Sequence, residues 1–193
     1  MTMTTHYIDI TLLPDPEFSQ AHLLGALVAK LHRALVQGQH TDIGVSYPQH
    51  ISQPLARRTL GTVLRLHGTP EVLQRLMARD WLKGMRDHTR VTALRPVPTD
   101  ALHRTVRRRQ FKTNANRLRR RRMLRKNETA EQAAAAIPDS AERRPDLPFV
   151  QLRSSSTGQP FCLCVEHGPL LPQHVSGAFN AYGLAHEATV PWF

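Results

Sequence analysis

Between Arg104 and Lys126 the chain carries twelve Lys or Arg in 23 residues and no Asp or Glu. The whole chain has a formal net charge of +11, and without this segment 14 basic residues face 15 acidic ones. The molecule is therefore a nearly neutral globule with one concentrated cationic device, and a local block of this size implies a polyanionic partner. Arg and Lys pair with phosphate oxygens whatever the base sequence. Gln110, Asn114 and Asn116 are interleaved with them and are residue types that can read base edges. A membrane surface is the weaker reading, because no apolar face accompanies the charge. A solvated basic helix or tail is the bland alternative, although tails of this kind belong at termini and this segment is internal.

Other chemistry is less marked. Eleven histidines are scattered without a His-x-x-x-His pair, and no Cys-x-x-Cys pair or carboxylate cluster has metal-ligand spacing. Cys162 and Cys164 with His167 make at most a partial site and read as core cysteines on a strand. No Gly-rich phosphate loop occurs, so no cofactor is expected and phosphoryl chemistry should proceed without a metal. Metal-free RNA cleavage needs a group that activates a 2′-hydroxyl, and imidazole suits that task because its pKa of about 6.5 lies near working pH. His32 sits at the edge of a helical apolar stripe, where it could face a cleft, yet such a histidine is as a rule structural. The hydroxyls of Ser154 to Thr157 read as a turn that could also hold a ribose or phosphate. Because A-form RNA has a narrow major groove, a basic helix is better suited to a hairpin than to a long duplex.

These residues need elements to position them. Tyr7–Leu13 alternates with the two-residue period of a half-buried strand. Ser19 can cap a helix bearing Leu24, Leu27, Val28, Leu31 and Leu35 on one stripe. Strands are expected at 43–47, 62–67 and 88–94. Thr69-Pro70-Glu71 opens a second helix buried through Val72, Leu73, Leu76 and Met77. The order βαββαβ matches a ferredoxin-like domain, a fold that hosts many functions. Residues 97–111 read as a basic linker, and Thr113 or Asn114 can cap a helix reaching about Lys126 that is cationic on every side. A short alanine-rich helix is expected over 128–137, then strands at 149–154, 161–166 and 178–184. The predicted class is thus α+β, with a ferredoxin-like domain at 1–96, a linker at 97–111 and a smaller α+β domain with an arginine-rich helix at 112–193.

Composition sets the outer limits. A length of 193 residues with 40% apolar content supports a real core. No apolar run approaches the roughly 20 residues of a membrane span, and the N-terminus has no secretory pattern. Two cysteines at this spacing do not make a disulfide framework, so a cytoplasmic setting is expected.

Taken in order, the segments resemble a known family: the subtype I-F CRISPR-associated endoribonuclease, a small Csy-type nuclease that processes hairpin RNA. The likeness rests on His6-Tyr7-Ile8-Asp9-Ile10 with Pro14-Asp15-Pro16-Glu17-Phe18, Lys30-Leu31-His32 and Asp42-Ile43-Gly44-Val45-Ser46. It continues through Arg117-Leu118-Arg119-Arg120-Arg121, Leu147-Pro148-Phe149-Val150, Leu152-Arg153-Ser154, Ser156-Thr157-Gly158-Gln159, Tyr182-Gly183-Leu184 and Val190-Pro191-Trp192-Phe193. The resemblance implies metal-independent cleavage of CRISPR precursor RNA at the 3′ base of the repeat stem-loop, leaving 2′,3′-cyclic phosphate and 5′-hydroxyl ends. It implies that the enzyme stays on the mature crRNA, joins the other subunits of a surveillance complex, and meets target DNA only through that complex. Residue by residue, it makes His32 the base, Ser154 the group positioning the ribose, and Tyr182 the group orienting the histidine. Ser156 and Thr157 correspond to hydroxyls near the cleaved phosphate and Phe161 to an aromatic stacked on the last base pair. Arg108 and Gln110 correspond to readers of base edges, and Lys112, Arg119, Arg120, Arg121, Arg122 and Arg125 to groove and phosphate contacts. A crRNA-binding subunit without nuclease activity is the alternative from another class, and a DNA-binding regulator a third.

Overall fold

The structure, a computed structural model, describes residues 4–53, 56–110, 115–138, 146–154 and 157–193. It is an α+β chain that divides into two compact units, one of residues 1–109 with 147–193 and one of residues 110–146. Among the described residues there are two antiparallel sheets and four α-helices.

The larger unit begins with β1 (His6–Leu12), whose alternate Ile8, Ile10 and Leu12 are buried. Helix α1 (Gln20–Gln37) follows, its first turn capped by Ser19, which accepts a hydrogen bond from the His22 amide. Then come β2 (Gly44–Ser46), β3 (Val63–Gly68), α2 (Pro70–Met77) with Thr69 as cap, β4 (Thr89–Val91) and the short β5 (Arg95–Pro96). The strands lie in the order β2-β3-β1-β4, with β5 also pairing β1. In that register Ile8 faces Leu66 and Ile10 faces Leu64. These side chains share one core with Leu27, Leu31 and Leu35 of α1 and Leu73 and Leu76 of α2. Burying a Leu or Ile side chain this completely contributes about 1.5–3 kcal/mol.

The second sheet has the order β7-β8-β6-β9, from β6 (Leu102–Arg109), β7 (Phe149–Arg153), β8 (Pro160–His167) and β9 (Thr189–Trp192). Here the structure departs from the sequence expectation. Residues 102–109, expected inside a linker, form an internal strand, so the divisions at 96 and 111 do not coincide with the compact units. The arginines of β6 are accommodated by local partners: Arg107 and Arg109 pair with Glu166 at 2.7 and 3.1 Å. Arg104 donates twice to the Gly168 carbonyl. The last strand is not at 178–184, which is irregular, but at 189–192, where Pro191 is tolerated because β9 ends the sheet.

Helix α1 packs on both β1 and β7 and so joins the two sheets. Gly25 makes this possible, since a Cβ there would lie 2.8 Å from the Gln151 carbonyl oxygen. Both cysteines are free thiols on β8, Cys164 buried and Cys162 exposed.

The smaller unit contains α3 (Ala115–Lys126) and α4 (Ala130–Ala136). Asn127, with φ 54°, ends α3 in the left-handed conformation that asparagine tolerates. Thr129 and Gln132 form a reciprocal capping box at the start of α4. The expected caps Thr113 and Asn114 lie outside the described residues. Among the described residues no helix is long and apolar enough to cross a membrane.

Candidate active site

His32 leaves the apolar stripe of α1 at its edge, as its spacing suggests, and is half-buried. Its Nδ1 lies 2.8 Å from the Ala181 carbonyl oxygen. A carbonyl only accepts, so Nδ1 carries the proton and Nε2 is left as the nitrogen with the lone pair. The Tyr182 ring stacks on the imidazole with centroids 4.2 Å apart and planes 9° apart. The ring is thus held in both its protonation pattern and its plane.

Tyr182 is itself placed by a tight corner. Asn180 Oδ1 accepts from the amides of Tyr182 and Leu184, and the Asn180 carbonyl accepts from Gly183 N. Gly183 has φ 70°, and a Cβ there would collide with Val45, so only glycine fits. The Gly183 carbonyl accepts from Val45 N at 2.8 Å, pinning the corner to β2.

Ser154 follows β7. Its amide donates to Gln159 O and its carbonyl accepts from Gly158 N, closing the loop toward β8. Its Oγ accepts from the Thr157 amide at 3.3 Å. Thr157 is exposed on the same loop, and Ser156 lies outside the described residues.

A pocket of about 320 Å³ brings these residues together, lined by Ala29, His32, Arg33, Arg108, Leu152, Arg153, Ser154, Phe161 and Tyr182. Phe161 is half-buried. The Arg108 guanidinium lies 5.7 Å from the Phe161 ring centre and 5.5 Å from that of Tyr182, within cation–π reach. Arg108 Nε is buried without a hydrogen-bond partner among the described residues. Arg108 is therefore at the pocket with the imidazole, whereas Gln110, the residue after β6, is exposed. Among the described residues no carboxylate lines the pocket, so it offers an anion hydrogen-bond donors and positive charge. Chemically, it can hold a phosphate with an adjacent hydroxyl next to a base.

The sequence reading missed Arg33 and Arg153. The signal was available: each adjoins a residue already singled out, Arg33 after His32 and Arg153 before Ser154. It also missed Asn180 and Gly183, whose contribution is to the corner beneath Tyr182.

In the smaller unit the described arginine side chains of α3 divide into two groups. Arg119 Nε donates to Ile137 O at 2.8 Å, and Arg122 makes a two-pronged contact with Glu128 at 2.6 and 3.1 Å. That contact raises the Arg122 pKa and lowers that of Glu128. Arg120, Arg121 and Arg125 are exposed. Lys112 lies outside the described residues.

Comparison with known proteins adds four findings. A family model described as CRISPR-associated protein (Cas_Csy4) matches residues 7–193. A CRISPR-associated endonuclease Cas6/Csy4 of Pseudomonas aeruginosa (strain UCBPP-PA14) is 47% identical over 188 residues, 97% of this chain and 99% of the relative. A protein of the same description from Escherichia coli (strain UTI89 / UPEC) is 45% identical over 188 residues, with the same coverage. A solved structure described as an RAMP protein binding different RNA substrates covers 97% of this chain and 100% of its own, at 10% identity and a TM-score of 0.34, too slight a likeness to build on.

Proposed function

The chain belongs to the Cas_Csy4 family of CRISPR-associated proteins and is an endoribonuclease, and from that premise we propose that it processes CRISPR precursor RNA by binding the repeat hairpin and cutting at its 3′ base. The observation that carries this reading is the His32 imidazole, fixed by Ala181 O and the Tyr182 ring in a carboxylate-free pocket with Ser154.

The reaction follows from that arrangement. Ser154 Oγ holds the attacking ribose. His32 Nε2 takes the proton of the 2′-hydroxyl, and the O2′–P bond forms as the P–O5′ bond breaks. The departing O5′ takes a proton from water, leaving a 2′,3′-cyclic phosphate and a 5′-hydroxyl. As His32 becomes an imidazolium, its Nδ1–H bond to Ala181 O strengthens, since charge-assisted hydrogen bonds are the stronger ones. No step needs a metal. The exposed Arg120, Arg121 and Arg125 supply phosphate contacts, joined by Lys112, while Arg108 and Gln110 read the base of the stem and Phe161 stacks on its last pair. Ser156 and Thr157 contribute hydroxyls near the cleaved phosphate. Arg119 and Arg122, held within their unit, act chiefly by shaping α3.

The first sheet, with its order β2-β3-β1-β4 and helices after β1 and β3, is read as a ferredoxin-like unit. The enzyme keeps its product and carries it into a surveillance complex with other subunits, meeting target DNA only there.

The test is incubation of the purified chain with repeat hairpins in EDTA, followed by mapping of the product ends. Cyclic phosphate and 5′-hydroxyl ends are expected, a single 2′-deoxy substitution at the cut should abolish cleavage, and His32→Ala should bind the hairpin without cutting it. A requirement for added metal, or 5′-phosphate products, would overturn the chemistry.

A further inference from the structure

Arg33 stands beside the imidazole on α1. Ala29, His32 and Arg33 occupy positions i, i+3 and i+4 and share one face of the helix, and all three line the pocket. Helical side chains lean toward the N-terminus, so Arg33 extends over the turn of Ala29, whose small side chain leaves room. Most paired arginines of this unit are tied down: Arg65 grips Asp9, Arg86 grips Asp80, and Arg107 and Arg109 share Glu166. Arg33 is exposed and has no hydrogen bond or ion pair among the described residues. The two other guanidinium groups of the pocket are placed differently. Arg108 lies over Phe161 and Tyr182. Arg153, exposed at the end of β7, lines the pocket from the other sheet and not from the helix that carries the imidazole.

We infer that Arg33 binds the non-bridging oxygens of the phosphodiester attacked by the 2′-oxygen, which makes it a catalytic residue for the reaction assigned above, on which this inference rests. When the entering oxygen joins phosphorus before the departing one has left, negative charge accumulates on those oxygens. A planar guanidinium matches a pair of phosphate oxygens with two parallel N–H donors, which an ammonium cannot do. Placing it one residue from the base puts both groups on one rigid helix, so that proton removal and charge neutralisation occur at one phosphate.

The test is single-turnover cleavage at saturating hairpin with Arg33→Gln and Arg33→Lys. Removal of a preorganised donor at developing charge typically costs about a hundredfold or more, and for an exposed group at least about tenfold is expected. Arg33→Lys should fall between wild type and Arg33→Gln. Affinity for a non-cleavable 2′-deoxy hairpin should change less than about threefold, and the melting temperature should not move, because Arg33 is exposed and makes no hydrogen bond or ion pair among the described residues. Sulfur in place of the contacted non-bridging oxygen should slow the wild type but add little in Arg33→Gln, since both changes remove one contact.

A rate within twofold of wild type, a loss explained wholly by weaker binding, or full additivity with sulfur substitution would each overturn the assignment. His32→Ala and Ser154→Ala run alongside. If those two cut normally, the underlying reading of the pocket fails, whatever Arg33 does.

Discussion

At the scale of single residues, the candidate site is a problem of holding an imidazole still. The Ala181 carbonyl decides which nitrogen bears the proton, and the Tyr182 ring decides the plane. The ring face does this work, so Tyr182→Phe should retain most of the cleavage rate. Tyr182→Ala frees the imidazole to rotate, and misplacing a reacting group by about 1 Å can cost about a hundredfold. Single-turnover rates at saturating RNA would show a loss of that order for Tyr182→Ala with hairpin affinity unchanged. Equal effects of the two substitutions would instead assign the role to the hydroxyl. His32, at the edge of the apolar stripe of α1, and Ser154, just after β7, were visible in the sequence as candidates, their roles only through the family resemblance. Their orientation was not, because it depends on Ala181 and on the Asn180–Gly183 corner, which no periodicity announces.

At the scale of elements, legibility followed the apolar pattern. β1, α1, α2 and β7 show buried residues at the period of their element, β8 buries a continuous apolar run, and all five lie close to their expected positions. β6 does not: within Leu102–Arg109 only Val106 is buried, and its arginines resemble a linker until Glu166 and the Gly168 carbonyl are set opposite them. β9 hides for the opposite reason, since Pro191 argues against a strand unless the strand lies at an edge. The joint between α1 and β7 places His32 near Ser154 and depends on Gly25. A methyl group at 2.8 Å from the Gln151 oxygen must displace the helix, because the obstacle is backbone. Alanine also favours a helix over glycine by about 1 kcal/mol, which offsets part of the clash. Gly25→Ala is thus expected to shift the melting temperature by only a few degrees while slowing cleavage about tenfold. An unchanged rate would mean that the spacing of α1 from β7 is not critical.

At the scale of the whole molecule, buried histidines set the response to acid. His67 is fully buried and its pKa lies well below the usual value, chiefly through desolvation. His167 stacks on His50 at 3.5 Å, and burial, with His50 and Arg104 nearby, pushes it down to about 2. His50 and His103 are lowered in the same direction, again mainly by burial. The unfolded chain protonates these rings near pH 6.5, whereas the folded chain resists. The unfolded state therefore binds more protons below that pH. Stability is complete above about pH 6.5 and falls as the pH drops, with His167 alone contributing about 2 kcal/mol of loss by about pH 5. Denaturant midpoints at neutral pH and near pH 5 would show this, and His167→Phe should flatten the dependence. A midpoint independent of pH in that range would contradict the burial of these rings.

The contact between His32 and Ala181 joins positions 149 residues apart along the chain. Closing so long a loop is entropically costly and kinetically slow. Under the mechanism proposed above, the imidazole consequently acquires its reactive tautomer only when nearly the whole larger unit has come together. An immature or nicked polypeptide could grasp RNA through its arginines yet remain chemically silent, so the tie between distant segments acts as a safety catch on RNA cutting, released by folding itself.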